Sequence, residues 1–126
     1  LLMDTICIIE DNKPIRKLFG TPLKKAGFET FEFADGQTAI EWISSNNMPS
    51  AFILDILLPD QSGVDILNLI RQKPNGISIP IVAVTGFATS NDRQKYLDLG
   101  FDHYIPKPIN TSTFVSEVMD IIKSKK

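Results

Sequence analysis

Several residue types are scarce in this chain, and each scarcity excludes a class of protein. Its 126 residues include one cysteine and one histidine, so neither an internal disulfide nor a histidine-rich metal site can form. The formal net charge is −2, which supplies no bulk positive field to attract nucleic acid. No apolar run approaches the roughly 20 residues that span a bilayer, and no signal peptide is visible. We therefore expect a cytoplasmic protein that binds neither nucleic acid nor membrane.

The length of the chain is that of one domain. With 43% hydrophobic and 22% charged residues, it has the composition of an ordinary globular domain that buries a core without disulfides or structural metals. We expect a single domain over residues 1–126. The chain opens with Leu1, Leu2 and Met3, so a longer protein of which this is one piece stays open. Cys7 lies in an apolar run, where a buried, unreactive thiol is expected.

Short apolar runs alternate with helical patterns along the chain. Residues 6–9, 52–54 and 81–84 are apolar without polar alternation, which is typical of strands buried on both faces of a parallel sheet. Residues 28–33 alternate apolar with polar and indicate a half-exposed strand, and 103–105 form a short strand expected at an edge. Five amphipathic segments separate or follow these strands. The pattern predicts an α/β fold: five β-α units with right-handed crossovers, forming an open parallel sheet with helices on both faces.

Helix ends carry their own signals. Asp35, Ser90 and Asn110 precede helical patterns and are predicted N-caps. The glycines that close helical patterns are predicted to adopt the left-handed conformation after a helix end; they are Gly27, Gly76 and Gly100. Pro22 falls inside the first helical pattern, where it removes a backbone donor, so we expect a kink or interruption near residues 20–22.

Polar residues stand where the strands end. Glu10 and Asp11 follow the first strand, and Asp55 follows the third. Thr85 follows the fourth strand, and Lys107 comes after the fifth. Because sites in open α/β sheets form at the carboxyl ends of strands, these side chains are expected to converge. Three carboxylates repel one another unless a hard cation such as Mg²⁺ relieves the repulsion. Such a cluster suits phosphoryl transfer to an aspartate, with a lysine and a hydroxyl holding the charge.

Each of these residues has a simpler interpretation when taken alone. Asp11 or Asn12 could cap the following helix. Asp55 could be a turn residue, Thr85 a strand former and Lys107 an ordinary surface lysine. Their joint placement at successive strand ends favours one shared site.

Four segments resemble the response regulator receiver family, over essentially the whole chain. They are IIEDN at 8–12, FILDILLP at 52–59 leading to Ser62-Gly63, VAVTG at 82–86, and YIPKP at 104–108. The resemblance implies a flavodoxin-like sheet with strand order 2-1-3-4-5. It also implies a Mg²⁺ site made by Glu10, Asp11, Asp55 and the backbone carbonyl of Leu57. Aspartate is commoner than glutamate at the first of these positions.

The same resemblance implies how the site works. Asp55 matches the phosphoacceptor, Thr85 and Lys107 match the groups that hold the phosphoryl oxygens, and Tyr104 matches an aromatic whose rotamer reports the state. Pro108 suggests a cis peptide bond after Lys107. Gly86 would leave the phosphoryl group accessible. We further expect the following apolar pair to shield the acyl phosphate from water: Leu57 and Phe87.

The resemblance also implies the biological setting. The phosphoryl donor would be a sensor histidine kinase or a histidine phosphotransfer protein, and the first helix would dock it. Phosphorylation would alter the surface made by the fourth helix, fifth strand and fifth helix. The domain would not be a conventional enzyme, although it would catalyse its own Mg²⁺-dependent phosphorylation and dephosphorylation. Homodimerisation through the fourth and fifth helices stays open, as does the downstream effector.

Two other functional classes are considered. A degenerate receiver that acts only by protein contact is disfavoured because Asp55, Asp11, Thr85 and Lys107 are all present. A phosphohydrolase or flavin protein is disfavoured because the first strand ends in neither an Asp-x-Asp motif nor a Ser/Thr/Gly-rich phosphate loop. His103 is expected to be an exposed strand residue rather than a phosphate carrier.

Overall fold

The computed structural model describes residues 4–45, 47–86 and 92–125. Within these ranges, five strands alternate with five helices. The elements are β1 (Thr5–Ile9), α1 (Lys13–Lys25), β2 (Glu29–Phe33), α2 (Gly36–Ser44), β3 (Ala51–Asp55), α3 (Gly63–Arg71), β4 (Ile81–Thr85), α4 (Asp92–Leu99), β5 (His103–Pro106) and α5 (Phe114–Lys125). The predicted β-α repeat is confirmed, and each strand bound differs from its predicted position by one residue at most. The predicted cap Ser90 and the predicted flank Phe87 lie outside the described residues.

The five strands form one parallel sheet in the order β2-β1-β3-β4-β5, which confirms the flavodoxin-like topology. In the register, Ile8 lies opposite Ile53, Ile53 opposite Val82, and Val82 opposite His103. The chain leaves β1 toward one side of the sheet and β3 toward the other, so a crevice opens at the carboxyl ends of these two neighbouring strands. The strand order therefore decides where a site can form.

Both faces of the sheet are buried, which explains why the central strands read as continuous apolar runs. One face packs against α1 and α5, where the rings of Phe19 and Phe114 meet edge to face with centroids 5.3 Å apart. The other face packs against α2, α3 and α4 through residues such as Ala39, Ile66 and Tyr96. Cys7 is fully buried on this second face, as expected, and burial raises the pKa of its thiol well above the ordinary range.

The helix caps follow the sequence signals in most places. The Asp35 carboxylate accepts from Thr38 N at 2.8 Å at the start of α2. Asn12, rather than Asp11, caps α1 by accepting from Ile15 N at 3.0 Å. Asn110 accepts from Ser112 N at 3.1 Å and so caps the turn that leads into α5 rather than α5 itself.

Gly27 and Gly100 have φ angles of 102° and 117° and so adopt the predicted left-handed conformation. Gly76 does not, because α3 ends at Arg71, well before it. A Cβ at Gly76 would lie 1.6 Å from the Ile70 carbonyl oxygen. The prediction for Gly76 is therefore wrong, and this position needs glycine for a close backbone approach instead.

Of the kink or interruption predicted near Pro22, the interruption is not observed, since α1 extends from Lys13 to Lys25 with Pro22 inside it. Pro22 has no N–H to donate to the carbonyl of Leu18. Leu18 is 45% exposed, so water can take the place of that hydrogen bond on the outer side of the helix. Proline is therefore accommodated in the last turns of α1.

His103 is half-buried in β5 rather than exposed, and burial lowers the pKa of its imidazole. The part of the chain that the structure describes holds no helix with the length and apolar content to cross a membrane.

Candidate functional site

Three carboxylates meet at the carboxyl edge of the sheet. Asp55 is the last residue of β3, and Glu10 and Asp11 directly follow β1. One carboxylate oxygen of each residue lies within 4.8 Å of the others. Asp11 is exposed, whereas Asp55 and Glu10 are only 3% and 1% exposed. The crevice between β1 and β3 therefore holds a concentrated negative charge that is largely shielded from water.

Lys107 places its ammonium group inside this acidic cluster. Its Nζ lies 2.8 Å from Glu10 Oε1 and 3.4 Å from Asp55 Oδ2. The Lys107 backbone N–H donates to the Thr85 carbonyl at 2.9 Å, and the peptide bond to Pro108 is cis, as predicted. Burial by itself would lower the pKa of Lys107, but the bond with Glu10 and the charge of Asp55 raise it. The ammonium thus stays charged and offsets part of the cluster.

The ionisation of Glu10 reflects how crowded the cluster is. Burial is the largest cause of a rise in its pKa to about 7, and the neighbouring Asp55 adds to the rise. Lys107 and the backbone N–H of Asn12, which donates to Oε2 at 3.1 Å, act in the opposite direction. The raised pKa therefore reflects mainly the removal of the Glu10 carboxylate from water, with the nearby Asp55 as a further cause.

The two oxygens of Asp55 have different surroundings. Oδ1 accepts from the Leu57 backbone N–H at 3.1 Å, while Oδ2 faces Lys107. The loop that supplies this N–H is closed at its base, where Gly63 N donates to the Ile56 carbonyl at 2.8 Å. The Leu57 side chain points away from the core and is 56% exposed. The loop therefore orients the carboxylate through its backbone.

Thr85 stands at the same edge of the sheet. It is the last residue of β4 and is 1% exposed. Asp55 lies opposite Val84 in the register, and the Ile56 N–H donates to the Val84 carbonyl at 3.0 Å. Thr85 therefore follows directly after the residue paired with Asp55. Gly86 comes next, and a Cβ there would lie 4.0 Å from the Lys107 side chain.

Tyr104 on β5 faces inward and is 6% exposed. Its ring stacks on that of Tyr96 in α4, with centroids 5.6 Å apart and planes 15° apart. The Tyr104 hydroxyl is buried and has no hydrogen-bond partner among the described residues. Burial also raises the pKa of this phenol. The inward position of the ring therefore carries an unsatisfied polar group.

Arg16 is a site residue that the sequence analysis missed. Its Nη1 on the first turns of α1 donates to the carbonyl of Glu10 at 2.7 Å and lies 3.5 Å from that of Asp11. It thereby holds the backbone of the acidic loop against α1. No sequence signal identifies such a contact, because a cation near a helix start is common and its acceptors here are backbone carbonyls.

The donor set fits a small hard cation. Its side chains offer only carboxylate oxygens, which Mg²⁺ prefers, and the exposed position of Asp11 leaves room for water ligands. The open parallel sheet and this pocket together define a class of protein. It is an α/β domain in which the crevice between β1 and β3 holds carboxylates that could bind a metal ion beside a buried aspartate.

Comparison with known proteins agrees with this class. The sequence-family model of the response regulator receiver domain matches residues 6–119 of this chain. The polar-differentiation response regulator DivK of Brucella anthropi is 30% identical over 114 residues, which cover 90% of this chain and 92% of that protein. A candidate response regulator from Chloroflexus aurantiacus superposes with a TM-score of 0.88 at 27% identity, covering 97% of this chain and 99% of the other.

A CheY-like receiver domain from Methanospirillum hungatei shares the fold, with a TM-score of 0.86 at 23% identity and coverage of 98% and 97%. The chain belongs to the response regulator receiver domain family. Phosphorylation on aspartate, a requirement for Mg²⁺ and interaction with histidine kinases or phosphotransfer proteins are general for this family of two-component signalling domains.

Proposed function

We propose that Asp55 of this chain accepts a phosphoryl group from a sensor histidine kinase or a histidine phosphotransfer protein. One observation carries the proposal: the carboxylates of Glu10, Asp11 and Asp55 lie within 4.8 Å of one another, with the Lys107 ammonium 3.4 Å from Asp55. This arrangement puts an acceptor carboxylate beside both a cation site and a fixed positive charge. Mg²⁺ and Lys107 would act together on an incoming phosphoryl group.

The metal would be held by Glu10, Asp11, Asp55 and the backbone carbonyl of Leu57. When bound, the ion would neutralise negative charge on the carboxylates and on the phosphoryl oxygens. The Glu10 carboxylate, on a side chain longer than that of aspartate, is paired with the Lys107 ammonium at 2.8 Å. A Mg²⁺ ion bound to Glu10 would take over this pairing and so release Lys107. The freed ammonium is then available to the transferred group.

The chain's own residues carry out the transfer. A carboxylate oxygen of Asp55 attacks phosphorus, and an O–P bond forms while the P–N bond of the phosphohistidine donor breaks. The departing imidazole keeps the electron pair of that bond. Lys107 and the Thr85 hydroxyl stabilise the charge on the phosphoryl oxygens. The Leu57 N–H on Asp55 Oδ1 keeps the carboxylate oriented during the attack. Dephosphorylation uses the same site: a water oxygen attacks phosphorus, the bond between phosphorus and the Asp55 oxygen breaks, the Asp55 carboxylate is regenerated and inorganic phosphate leaves.

Intact-mass measurement after incubation with acetyl phosphate and Mg²⁺ tests the proposal. The wild type should gain the mass of one phosphoryl group, and Asp55→Asn should gain none. Asp120→Asn is a matched control, because it makes the same chemical change at an exposed residue on α5. An adduct that persists in Asp55→Asn, or one that forms equally well without Mg²⁺, would contradict the proposal.

Phosphorylation would act through Thr85 and Tyr104. The phosphoryl group draws the Thr85 hydroxyl toward it, which would stabilise the Tyr104 ring in the inward position that it already occupies. A gap of about a few kcal/mol between the inward and outward positions of Tyr104 would let phosphorylation select between them. The change at Tyr104 would then alter the surface formed by α4, β5 and α5.

The switch is tested with beryllofluoride and Mg²⁺, which mimic the phosphoryl group. Tyr96 and Tyr104 are the two tyrosines of the chain, so the measurement is made in Tyr96→Phe, where Tyr104 is the single tyrosine and its bands are read against the constant contribution of Trp42. Its near-ultraviolet spectrum should change on addition of the mimic and stay constant in Tyr96→Phe/Asp55→Asn. An unchanged spectrum in the first variant argues against the switch.

Leu57 would protect the acyl phosphate from water. Its side chain is exposed on the loop that follows Asp55, where an apolar group limits the approach of water. Leu57→Asn should therefore lose its phosphoryl group faster than the wild type, measured as the decay of the adduct after acetyl phosphate is removed. A decay no faster than that of the wild type would refute this role.

The setting proposed for the chain is that of its family. Residues 1–126 would form one receiver domain working in the cytoplasm, with α1 docking the phosphoryl donor. A cavity of about 430 Å³ on α1 supports a docking surface there; it is lined by Pro14, Lys17, Leu18, Thr21, Pro22 and Thr111.

A further inference from the structure

A second aspartate joins the loop after β3 to the start of α2. The Asp60 carboxylate accepts from Gly36 N at 2.9 Å through Oδ1 and from Gln37 N at 2.8 Å through Oδ2. These are the first two residues of α2. Asp60 is close in sequence to Asp55 but 23 and 24 residues away from its two donors. The contact is therefore a tertiary clamp between two segments that are otherwise joined through a strand.

The clamped loop is the one that supplies Leu57. It is closed at its base by the bond from Gly63 N to the Ile56 carbonyl and by an isolated bridge between Leu57 and Ser62. Its tip is held by Asp60. Base and tip together leave the loop little freedom to move relative to β3. The backbone of Leu57, with its N–H on Asp55 Oδ1, is positioned by both attachments.

Gly36 allows the loop after β3 to come close to the start of α2. A Cβ at Gly36 would come within 2.6 Å of the Gln61 side chain, the residue next to Asp60. The bond from Gly36 N also lowers the pKa of the Asp60 carboxyl. The clamp thus engages an ionised carboxylate with two backbone donors, which is a strong and directional pairing.

We propose that Asp60 is a positioning residue for the metal and phosphoacceptor site, because its hold on the amino end of α2 sets where the loop presents Leu57. This inference rests on the proposed function of Asp55 and on the Leu57 carbonyl as a metal ligand. The Asp60 carboxylate binds Gly36 N and Gln37 N, and it contacts neither the Asp55 carboxylate nor the Leu57 carbonyl. Its contribution is to keep the carbonyl and the N–H of Leu57 in place while Mg²⁺ and the phosphoryl group bind.

A role as a helix cap alone would have a different consequence. Asp35 already caps α2, with Oδ1 accepting from both the N–H and the hydroxyl of Thr38 at 2.8 Å. Asp35 and Asp60 therefore serve the same helix end, but only Asp60 belongs to the loop after β3. Removal of either carboxylate weakens α2, whereas only removal of Asp60 releases the loop. This difference provides a matched control within the chain.

The experiment compares Asp60→Ala with Asp35→Ala. Stability is measured by urea unfolding, followed by the fluorescence of Trp42, and Mg²⁺ affinity is measured by calorimetric titration. Phosphorylation by acetyl phosphate is followed by intact mass across a range of Mg²⁺ concentrations. Both variants should unfold at lower urea than the wild type. Asp60→Ala should bind Mg²⁺ about tenfold more weakly, and Asp35→Ala should change this affinity by less than about twofold.

A conservative variant sharpens the result. Asp60→Asn keeps one acceptor oxygen, so its Mg²⁺ affinity and phosphorylation rate should lie between those of the wild type and of Asp60→Ala. Equal losses of Mg²⁺ affinity in Asp60→Ala and Asp35→Ala would reduce Asp60 to a helix cap and overturn the inference. So would an Asp60→Ala protein that binds Mg²⁺ within about twofold of the wild type. Should Asp60→Ala fail to fold, the same comparison applies to Asp60→Asn.

Measurements of Mg²⁺ binding and phosphorylation on the wild type distinguish a failure of this inference from a failure of the proposed function. Wild-type protein that takes up Mg²⁺ and a phosphoryl group supports the proposed function whatever the Asp60 variants do. Wild-type protein that gives neither heat with Mg²⁺ nor an adduct would overturn both.

Discussion

The backbone at the end of β3 approaches Gly63 so closely that a methyl group has no room there. A Cβ would lie 2.4 Å from the Asp55 carbonyl oxygen and 2.9 Å from the Ile56 Cα. Both are backbone atoms that cannot rotate away. At the scale of the single residue, the end of β3 and the start of α3 are thus fitted together at one glycine.

Gly63→Ala should therefore lower the free energy of unfolding by about 1–3 kcal/mol through overpacking and should also slow phosphorylation, because the end of β3 must shift. Urea unfolding and intact-mass kinetics measure the two effects. Gly27→Ala is the control. It has no atom within 4 Å of the added methyl but an unfavourable positive φ, so it should lose stability and keep its phosphorylation rate. Unimpaired phosphorylation in Gly63→Ala would contradict the argument.

Glu32 is a second position where one side chain has a measurable consequence. Its carboxylate on β2 lies 3.4 Å from the Lys17 ammonium and 3.1 Å from that of Lys24, both on α1. Partial burial by itself would raise its pKa, but the bond with Lys24 and the charges of the two lysines lower it below the ordinary 4.5. The stabilisation is therefore fully present above pH 4.5 and is lost as the pH falls through the lowered pKa.

Glu32→Gln should accordingly be less stable than the wild type by up to about 1 kcal/mol at pH 7. The difference should disappear as the wild-type carboxyl becomes protonated below pH 4.5. Urea unfolding at several pH values measures it, with the exposed Glu29→Gln on the same strand as the control. A difference that persisted unchanged into acid would show that packing, rather than charge, is responsible.

At the scale of elements, Arg71 connects three segments at the edge of the sheet opposite the site. The guanidinium at the end of α3 donates to the carbonyls of Gly76, Ile79 and Gly100 at 2.7–2.8 Å. It also pairs with the Asp102 carboxylate at 2.9 Å, which in turn accepts from the Ile81 N–H at 2.8 Å. The loops that lead into β4 and β5 are thus held by one side chain of α3.

Arg71→Met should destabilise the domain by about 2–4 kcal/mol, because the largely buried Asp102 loses its cation and the carbonyls lose their donor. Arg71→Lys should recover little of this loss, since an ammonium cannot serve so many acceptors in one plane. Phosphorylation measured well below the unfolding temperature should be unaffected. A stability loss no larger than that of an exposed surface change would contradict this role.

At the scale of the whole molecule, the acidic cluster of the site lowers the free energy of unfolding. Two nearly fully buried carboxylates, Glu10 and Asp55, share one ammonium. Burial, with the neighbouring Asp55, raises the pKa of Glu10 to about 7, although the bond with Lys107 acts in the opposite direction. Such a cluster disfavours the folded state when no metal is bound, because both charges are removed from water.

Asp55→Asn should therefore be more stable than the wild type in the absence of Mg²⁺, by about 1–2 kcal/mol. Added Mg²⁺ should raise the melting temperature of the wild type and leave that of the variant nearly constant, because only the wild type binds the ion well. Differential scanning calorimetry with and without Mg²⁺ measures both. Asp120→Asn should behave like the wild type. An Asp55→Asn protein that melts below the wild type without Mg²⁺ would contradict the argument.

The sequence by itself determined the elements and their order. Apolar runs without alternation identified the strands buried on both faces, because a parallel sheet covered by helices leaves no polar face. The polar residues that follow these runs located the edge of the sheet where Glu10, Asp11 and Asp55 meet. This part of the site is readable because each residue is fixed by its distance along the chain from a strand end.

Only the tertiary structure decided how distant segments hold one another. The pairing of Lys107 with Glu10, the Arg16 contacts to the acidic loop and the Asp60 clamp on α2 depend on packing, which local patterns do not encode. The same reason explains why α1 is not interrupted at Pro22 and why the left-handed conformation predicted at Gly76 is wrong. In both cases the position of the residue on a packed element prevailed: the exposed side of α1 tolerates a missing donor, and the Ile70 carbonyl crowds Gly76.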